Sequence, residues 1–253
     1  MSKIRVSAVK YTNSLPFIYG LQNHSIENDI SLSLDTPAEC YNNLFSGQAD
    51  IGLVPVIIKN QVSLIHQVSP YIIGANGDVL SVILVSKCPT SDIKCIYLDY
   101  QSRTSVMLTK VLCKEYWKIT PEFIHGQPGY ENAELKEFEA RIVIGDRAFE
   151  FQDQQNIIIT DLAGEWMRFS NLPFVFAIWA SLKKLPETFE QKFTDALSYG
   201  LSQKTRLALE LASLPKYKSI DLPAYLNENI IHEITPSMQE GMNLFLLLIR
   251  DLQ

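Results

Sequence analysis

The spacing of apolar residues changes repeatedly along the chain, and each change predicts an element. IRVSAV, from Ile4, is a short strand-type run, and in LPFIYGL, from Leu15, the apolar residues close up into a helix. ISLSLD alternates strictly, TPAECYNNLFSG has a helical pattern, and ADIGLV returns to strand. In the second helix Thr36 and Glu39 have capping-box spacing, Pro37 takes the first helical position and Gly47 follows as a stop. This is the βαβ rhythm of a parallel sheet covered by helices.

DVLSVILVSK, from Asp78, predicts a long strand that ends in the turn-forming cluster Cys88-Pro89-Thr90-Ser91-Asp92. A second βα series follows: IKCIYLD with the helix SVMLTKVLCKEYW, EFIHG with NAELKEFEA, RIVIGD with RAFEF, and NIIIT with DLAGEWMRF. After another long β-rich run, LPFVFAIWASLKK, the pattern becomes purely helical, and Phe189, Phe193, Leu197 and Leu201 form one stripe at four-residue spacing. Two βα series joined by two long strands predict two lobes. Lobe I is expected to comprise residues 1–85 and 178–253, and lobe II residues 86–177. In open α/β sheets ligands sit beyond the carboxyl ends of the strands, so the ligand site is expected in the cleft between the lobes.

At 253 residues the chain can bury a core of this size. Its net charge of -6, with Lys and Arg scattered, leaves no basic stripe for nucleic acid. The start, MSKIRVSAVKY, does not read as a secretory signal, and the longest apolar run, Leu244 to Ile249, is far short of the roughly 20 residues that span a bilayer. A cytoplasmic protein without membrane association is expected, with those residues in a buried C-terminal helix. Cys40, Cys88, Cys95 and Cys113 have no CxxC pairing, and the four His residues are dispersed, so we expect reduced thiols and no metal site.

Three polar clusters each follow a strand and precede a helix. In the first, Tyr11-Thr12-Asn13-Ser14, a helix starting at Leu15 would turn its free N–H groups toward the loop, and Asn13 can both donate and accept. Asn13 or Ser14 serves equally well as an N-cap. The second cluster contains Ser102, Arg103, Thr104 and Ser105. Three hydroxyls in four positions exceed what one cap needs, which makes this the best anion site read from the residues, with Arg103 adding charge. In the third, Gly145 allows close backbone approach, and Asp146 is a base, an orienting group, or a cap paired with Arg147 or Arg141. Ser81, alone among apolar neighbours, is either a packed core residue or a donor in the cleft. No dinucleotide, P-loop, nucleophile-elbow, zinc-protease or EF-hand motif occurs. These residues predict a clamp for a small, polar, anionic molecule.

Taken together, YTNSLPFIYGL, GQADIGLVPV, LDYQSRTSVMLTKVL, IVIGDRAF and DLAGEWMRFSNLPFVFAIWA resemble the chorismate dehydratase family of the futalosine route to menaquinone. The match runs in order over most of the chain and is weakest in the C-terminal helices. Against the family opening Ser-Tyr-Leu-Asn-Ser/Thr-x-Pro, Tyr11, Asn13, Ser14 and Pro16 fit, whereas Lys10 and Thr12 depart. The resemblance implies an α/β, two-lobed, type II periplasmic-binding-protein-like fold, each lobe a mixed sheet flanked by helices. It also implies conversion of chorismate to 3-(1-carboxyvinyloxy)benzoate and water in the cytoplasm, without metal or organic cofactor.

On this reading Asn13, Ser81 and Asp146 are the catalytic candidates. Tyr11, Ser14, Ser102, Arg103, Thr104, Ser105 and Gly145 are the substrate-binding ones. The proton is taken by the substrate's own enolpyruvyl carboxylate or, alternatively, by Asp146. Two other functions stand beside this one: a non-catalytic cytoplasmic small-anion binding protein, and the sister 1,4-dihydroxy-6-naphthoate synthase, whose opening is typically C-P-N-D-T-F-like, unlike YTNSLPF.

Overall fold

The computed structural model describes residues 3–62 and 65–252. The first βα series forms β1 (Ile4–Val9), α1 (Leu15–Asn23), β2 (Ile30–Asp35), α2 (Pro37–Phe45), β3 (Ile51–Pro55), the one-turn α3 (Ile58–Gln61) and β4 (His66–Ala75). β5 (Val82–Ser86) then opens the second series, which continues with β6 (Cys95–Leu98), α4 (Thr104–Val111), β7 (Glu122–His125), β8 (Glu139–Ile144), β9 (Ile158–Asp161) and α5 (Leu162–Ser170). β10 (Phe174–Ser181) leads to α6 (Glu187–Ser202), α7 (Lys204–Leu211), α8 (Leu222–Ala224), β11 (Ile231–Glu233) and α9 (Pro236–Leu248).

Two sheets result, ordered β11-β4-β10-β3-β1-β2 and β7-β6-β8-β5-β9. β1 pairs parallel with β2 and β3, and β6 with β7 and β8. Into each sheet an antiparallel strand is inserted: β10 between β3 and β4, and β5 between β8 and β9. Each inserted strand enters just after the chain has left the other sheet. β3, β5 and β10 are buried at every position, which is why they read as continuous apolar runs, whereas the edge strand β2 is mostly open to solvent.

The sheets divide earlier than the expected lobe boundaries at 85 and 177. β5 lies in the second sheet although most of it was assigned to lobe I, and β10 begins at Phe174 in the first sheet although its first residues were assigned to lobe II. The strand expected from Asp78 does not begin until Val82. Leu80 adopts φ 61°, and the Asp161 carboxylate accepts the N–H groups of Val79 and Leu80 at 2.9 and 2.7 Å, so this segment is tied to α5 rather than to a strand ladder. The helix expected over NAELKEFEA is absent. Before the strand residues Glu139 and Ala140, which pair with Cys95 and Ile96, only Leu135 of that segment is buried and Phe138 is 41% exposed, so a helix would have no face to bury. β11 interrupts the region expected to be purely helical, pairing with β4 over three residues, too few to show an alternation.

Thr36 and Glu39 form the capping box, with the Thr36 N–H donating to Glu39 Oε2 at 2.7 Å and the Glu39 N–H to Thr36 Oγ1 at 3.3 Å; such a cap contributes about 1 kcal/mol. α1 and α6 meet backbone to backbone, since a Cβ at Gly20 would lie 2.0 Å from the Ala196 carbonyl oxygen and one at Gly200 1.9 Å from that of Pro16. Phe193 and Leu197 of the predicted stripe are fully buried beneath β10, where Trp179 packs edge-on to Phe193 at 5.2 Å. In α9, Phe245 and Leu246 are buried, but Leu247 is 57% exposed. The four cysteines are free.

Candidate active site

A cavity open to solvent on one side lies where the two sheets meet. Val9, Tyr11 and Asn13 border it at the end of β1, Pro37 at the start of α2 and Pro55 at the end of β3. Val79, Ser81 and Val82 come from the crossing into β5, Ser102, Thr104 and Ser105 from the start of α4, and Ile144 and Gly145 from the end of β8. Phe176 and Ala177 of β10 complete the wall. Of the aromatics of α5 and β10, Trp166, Phe174 and Trp179 belong to the core, and Phe176 faces the cavity. Among the described residues no Asp, Glu, His, Lys or Arg lines this cavity.

The first loop is a 3-10 turn, Thr12–Ser14, that runs straight into α1, so neither Asn13 nor Ser14 caps that helix with its side chain. Instead, the buried Ser14 hydroxyl donates to Asn13 Oδ1 at 3.1 Å, and the Asn13 carbonyl accepts from His232 Nε2–H at 2.8 Å. Ser14 thus supports Asn13 from behind and does not itself line the cavity. Asn13 is held by both its main chain and its side chain, with the two Nδ2 protons left for the cavity. His232, edge-on to Phe17 at 5.1 Å, is buried, and burial holds its pKa at about 4, so the ring is neutral. The unfolded chain, titrating near the ordinary 6.5, takes up this proton first as pH falls. Stability that is complete above about 6.5 is therefore lost down to about 4, on the order of 3 kcal/mol from this residue. We expect the urea midpoint to fall markedly between pH 7 and pH 4.5, and to fall less in His232→Gln, which lacks the titrating ring.

Gly145, at φ 64°, lies flat against the Tyr11 ring and donates its N–H to the Ser81 carbonyl at 2.8 Å. The Tyr11 hydroxyl donates to Gln101 Oε1, and burial pushes its pKa up. Asp146 turns away from the cavity. Its two oxygens accept the N–H and the hydroxyl of Thr12, both at 2.8 Å, and Lys216 Nζ lies 3.6 Å from one of them. Neither expected arginine pairs with it: Arg147 binds the buried Asp99 at 2.6 Å and Glu131 at 3.1 Å, and Arg141 donates to the carbonyls of Tyr130 and Glu131.

At the start of α4, Ser102 Oγ accepts the Ser105 N–H at 3.0 Å as a cap, and the Thr104 hydroxyl donates to the Phe176 carbonyl at 3.0 Å. The Ser105 hydroxyl has no protein partner among the described residues and faces the cavity with the helix N-terminus. Arg103 does not. Its guanidinium stacks over Tyr41 at 4.0 Å and donates to Asn42 Oδ1 at 3.4 Å, bridging to α2 of the opposite lobe, where the Ala38 N–H also donates to the Gln101 carbonyl at 3.1 Å. Arg103 therefore ties the rims of the cleft together and adds no charge inside it.

A family model described as menaquinone biosynthesis matches residues 4–251. The chain belongs to the menaquinone-biosynthesis family. It is similar to a Thermus thermophilus protein named chorismate dehydratase, 29% identical over 192 residues that cover 68% of this chain and 69% of that protein. A Campylobacter jejuni protein of the same name is 23% identical over 249 residues, covering 94% and 93%. Among solved structures, a Candida albicans gene product with the generic periplasmic binding protein fold has a TM-score of 0.68 at 13% identity, over 99% of this chain and 91% of that one. The two-lobed, periplasmic-binding-protein-like fold implied by the resemblance is the fold observed.

Within this member of the family, Tyr11, Asn13, Ser81, Ser102, Thr104, Ser105 and Gly145 meet at one cavity, and Ser14, Arg103 and Asp146 stand outside it. Sequence reasoning missed His232, which fixes Asn13, and two buried tyrosines. The hydroxyl of Tyr217 lies 2.9 Å from Thr12 Oγ1, and that of Tyr225 donates to Ser81 Oγ at 2.8 Å. All three come from the C-terminal segments, where the local pattern reports helix and nothing of what the side chains reach. No described helix is long and apolar enough to cross a membrane.

Proposed function

We propose that this chain is a chorismate dehydratase acting in the futalosine route, a hydro-lyase that eliminates water from chorismate to give 3-(1-carboxyvinyloxy)benzoate. The observation that carries the reading is the character of the cavity. Its largely apolar walls are interrupted by the Asn13 amide, the Ser81 and Ser105 hydroxyls and the N-terminus of α4. The substrate is a dianion with a ring hydroxyl, and hydroxyl, amide and helix N–H groups can hold carboxylates without a cation.

In the reaction the ring carbon bearing the ether loses its proton, and that C–H electron pair becomes a ring π bond as the neighbouring C–O bond breaks. The departing hydroxide and the proton together make the water released. With no carboxylate or imidazole in the wall among the described residues, the proton is received by the substrate's enolpyruvyl carboxylate, held by Asn13, Ser81 and the Thr104–Ser105 helix start. The protein supplies orientation, exclusion of water and fixed donors near developing charge. Asp146 serves as a tie to Thr12. Asp146→Asn is therefore expected to keep turnover within a few-fold of wild type, and a loss of several orders of magnitude would make Asp146 the base instead. The reading includes a cytoplasmic site of action, supported by four free cysteines.

The test is to incubate the chelator-treated protein with chorismate and follow the products by chromatography with mass detection. Protein-dependent loss of one water to an aromatic dicarboxylate is the expected result. Unchanged chorismate would overturn the reading in favour of the sister synthase or of an anion-binding protein.

A further inference from the structure

Tyr225 lies on the turn that follows α8, its side chain buried and its ring edge-on to Phe149 at 5.0 Å. Its hydroxyl does not end in the core but donates to Ser81 Oγ at 2.8 Å, on the cavity wall. Burial pushes the phenol's pKa up, so it remains protonated and a donor. The Ser81 main chain is equally fixed. Its carbonyl accepts the Gly145 N–H, and the two residues before it are held by Asp161.

A serine hydroxyl has one proton and two lone pairs. Since Tyr225 occupies a lone pair, the Ser81 proton must find an acceptor elsewhere, and the protein acceptor described for it is the Val79 carbonyl at 3.4 Å, beyond the range of a good O–H···O bond of about 2.5–3.0 Å. Thr12 shows the contrasting case. It too contacts a buried tyrosine, Tyr217, but its proton is committed to Asp146 at 2.8 Å, and its side chain is outside the cavity wall.

We propose that Tyr225 is a positioning residue that fixes the Ser81 hydroxyl as a donor pointing into the cavity, toward a substrate oxygen. This rests on the dehydratase reading and extends the site to a segment in which the family resemblance is weakest. Tyr225 acts through Ser81 and does not touch the substrate.

The test is a double-mutant cycle of Ser81→Ala and Tyr225→Phe, reading kcat and KM for chorismate, with the urea midpoint of each variant as the measure of folding. Each single variant is expected to lose about 10- to 100-fold in kcat with KM within about threefold, and the double variant to be no slower than Ser81→Ala within about twofold. Losses that multiply would mean that Tyr225 acts apart from Ser81 and would overturn the proposal. So would a folded Tyr225→Phe with kcat within twofold of wild type. Ser81→Ala within twofold of wild type overturns it as well, even where Tyr225→Phe does not fold. If wild type binds chorismate without converting it, the dehydratase reading fails alone, and the same cycle read in dissociation constants upholds the proposal if non-additive and overturns it if additive. Neither turnover nor binding would overturn both.

Discussion

Asn13→Ala is expected to lower kcat for chorismate by about 100-fold or more, the loss typical when a fixed donor is removed from a water-poor site. The fold should survive, because the contacts that hold this loop on the His232 side run through the Asn13 main-chain carbonyl, which alanine keeps. Two donors vanish from the cavity, and the Ser14 hydroxyl loses its acceptor. KM should change less than kcat if Asn13 acts mainly on charge that shifts as the proton moves to the substrate carboxylate. Steady-state kinetics of the purified variant, with its urea midpoint compared with wild type, check this. A kcat within threefold of wild type would show that the amide is not used in the reaction.

Gly145→Ala is expected to damage both stability and turnover. The backbone there is in the left-handed region, which costs an L side chain roughly 1–2 kcal/mol. The added methyl would also lie 2.7–2.8 Å from three carbons of the Tyr11 ring. That ring cannot easily retreat, being buried and tied to Gln101 through its hydroxyl, and overpacking of this kind costs about 1–3 kcal/mol. Together these predict a loss of about 2–5 kcal/mol in unfolding free energy. Tyr11 would be pushed toward the cavity two residues before Asn13, so kcat/KM should fall by more than the unfolded fraction accounts for. Denaturant titration and turnover of the same preparation separate the two effects, and a variant with both values unchanged would refute the placement of Tyr11 against Gly145.

The features legible in the sequence were those set by neighbours in the chain. The Thr36–Glu39 capping box is one, and so is the gathering of Asn13, Ser102, Ser105 and Gly145 at one cavity, because strand carboxyl ends in α/β sheets converge. What could not be read is the direction in which a side chain turns once distant residues arrive. Asp146 follows a strand as a cleft carboxylate should, but Thr12, 134 positions away, supplies two donors that turn it aside. Arg103 stands among the anion-site hydroxyls and yet finds Tyr41 and Asn42 on α2. The apolar run ending in β5 shows that a buried strand exists but not which sheet it joins, so the lobe boundary fell a few residues late. His232 and Tyr225 were invisible because each is joined to the site by a single hydrogen bond from a segment with an ordinary local pattern.

The central claim is that a cavity without an acid or base of its own works on a substrate that supplies the base. Its most direct test is the pH dependence of kcat for wild type with saturating chorismate from pH 6 to 9. The account predicts a flat profile. Among the described residues no Asp, Glu, Lys, Arg or His lines the cavity, Tyr11 is pushed above its ordinary range, and His232 behind Asn13 is held at about 4. A profile that breaks within this window, rising or falling about tenfold per pH unit, would contradict it and place an ionising protein group in the proton transfer.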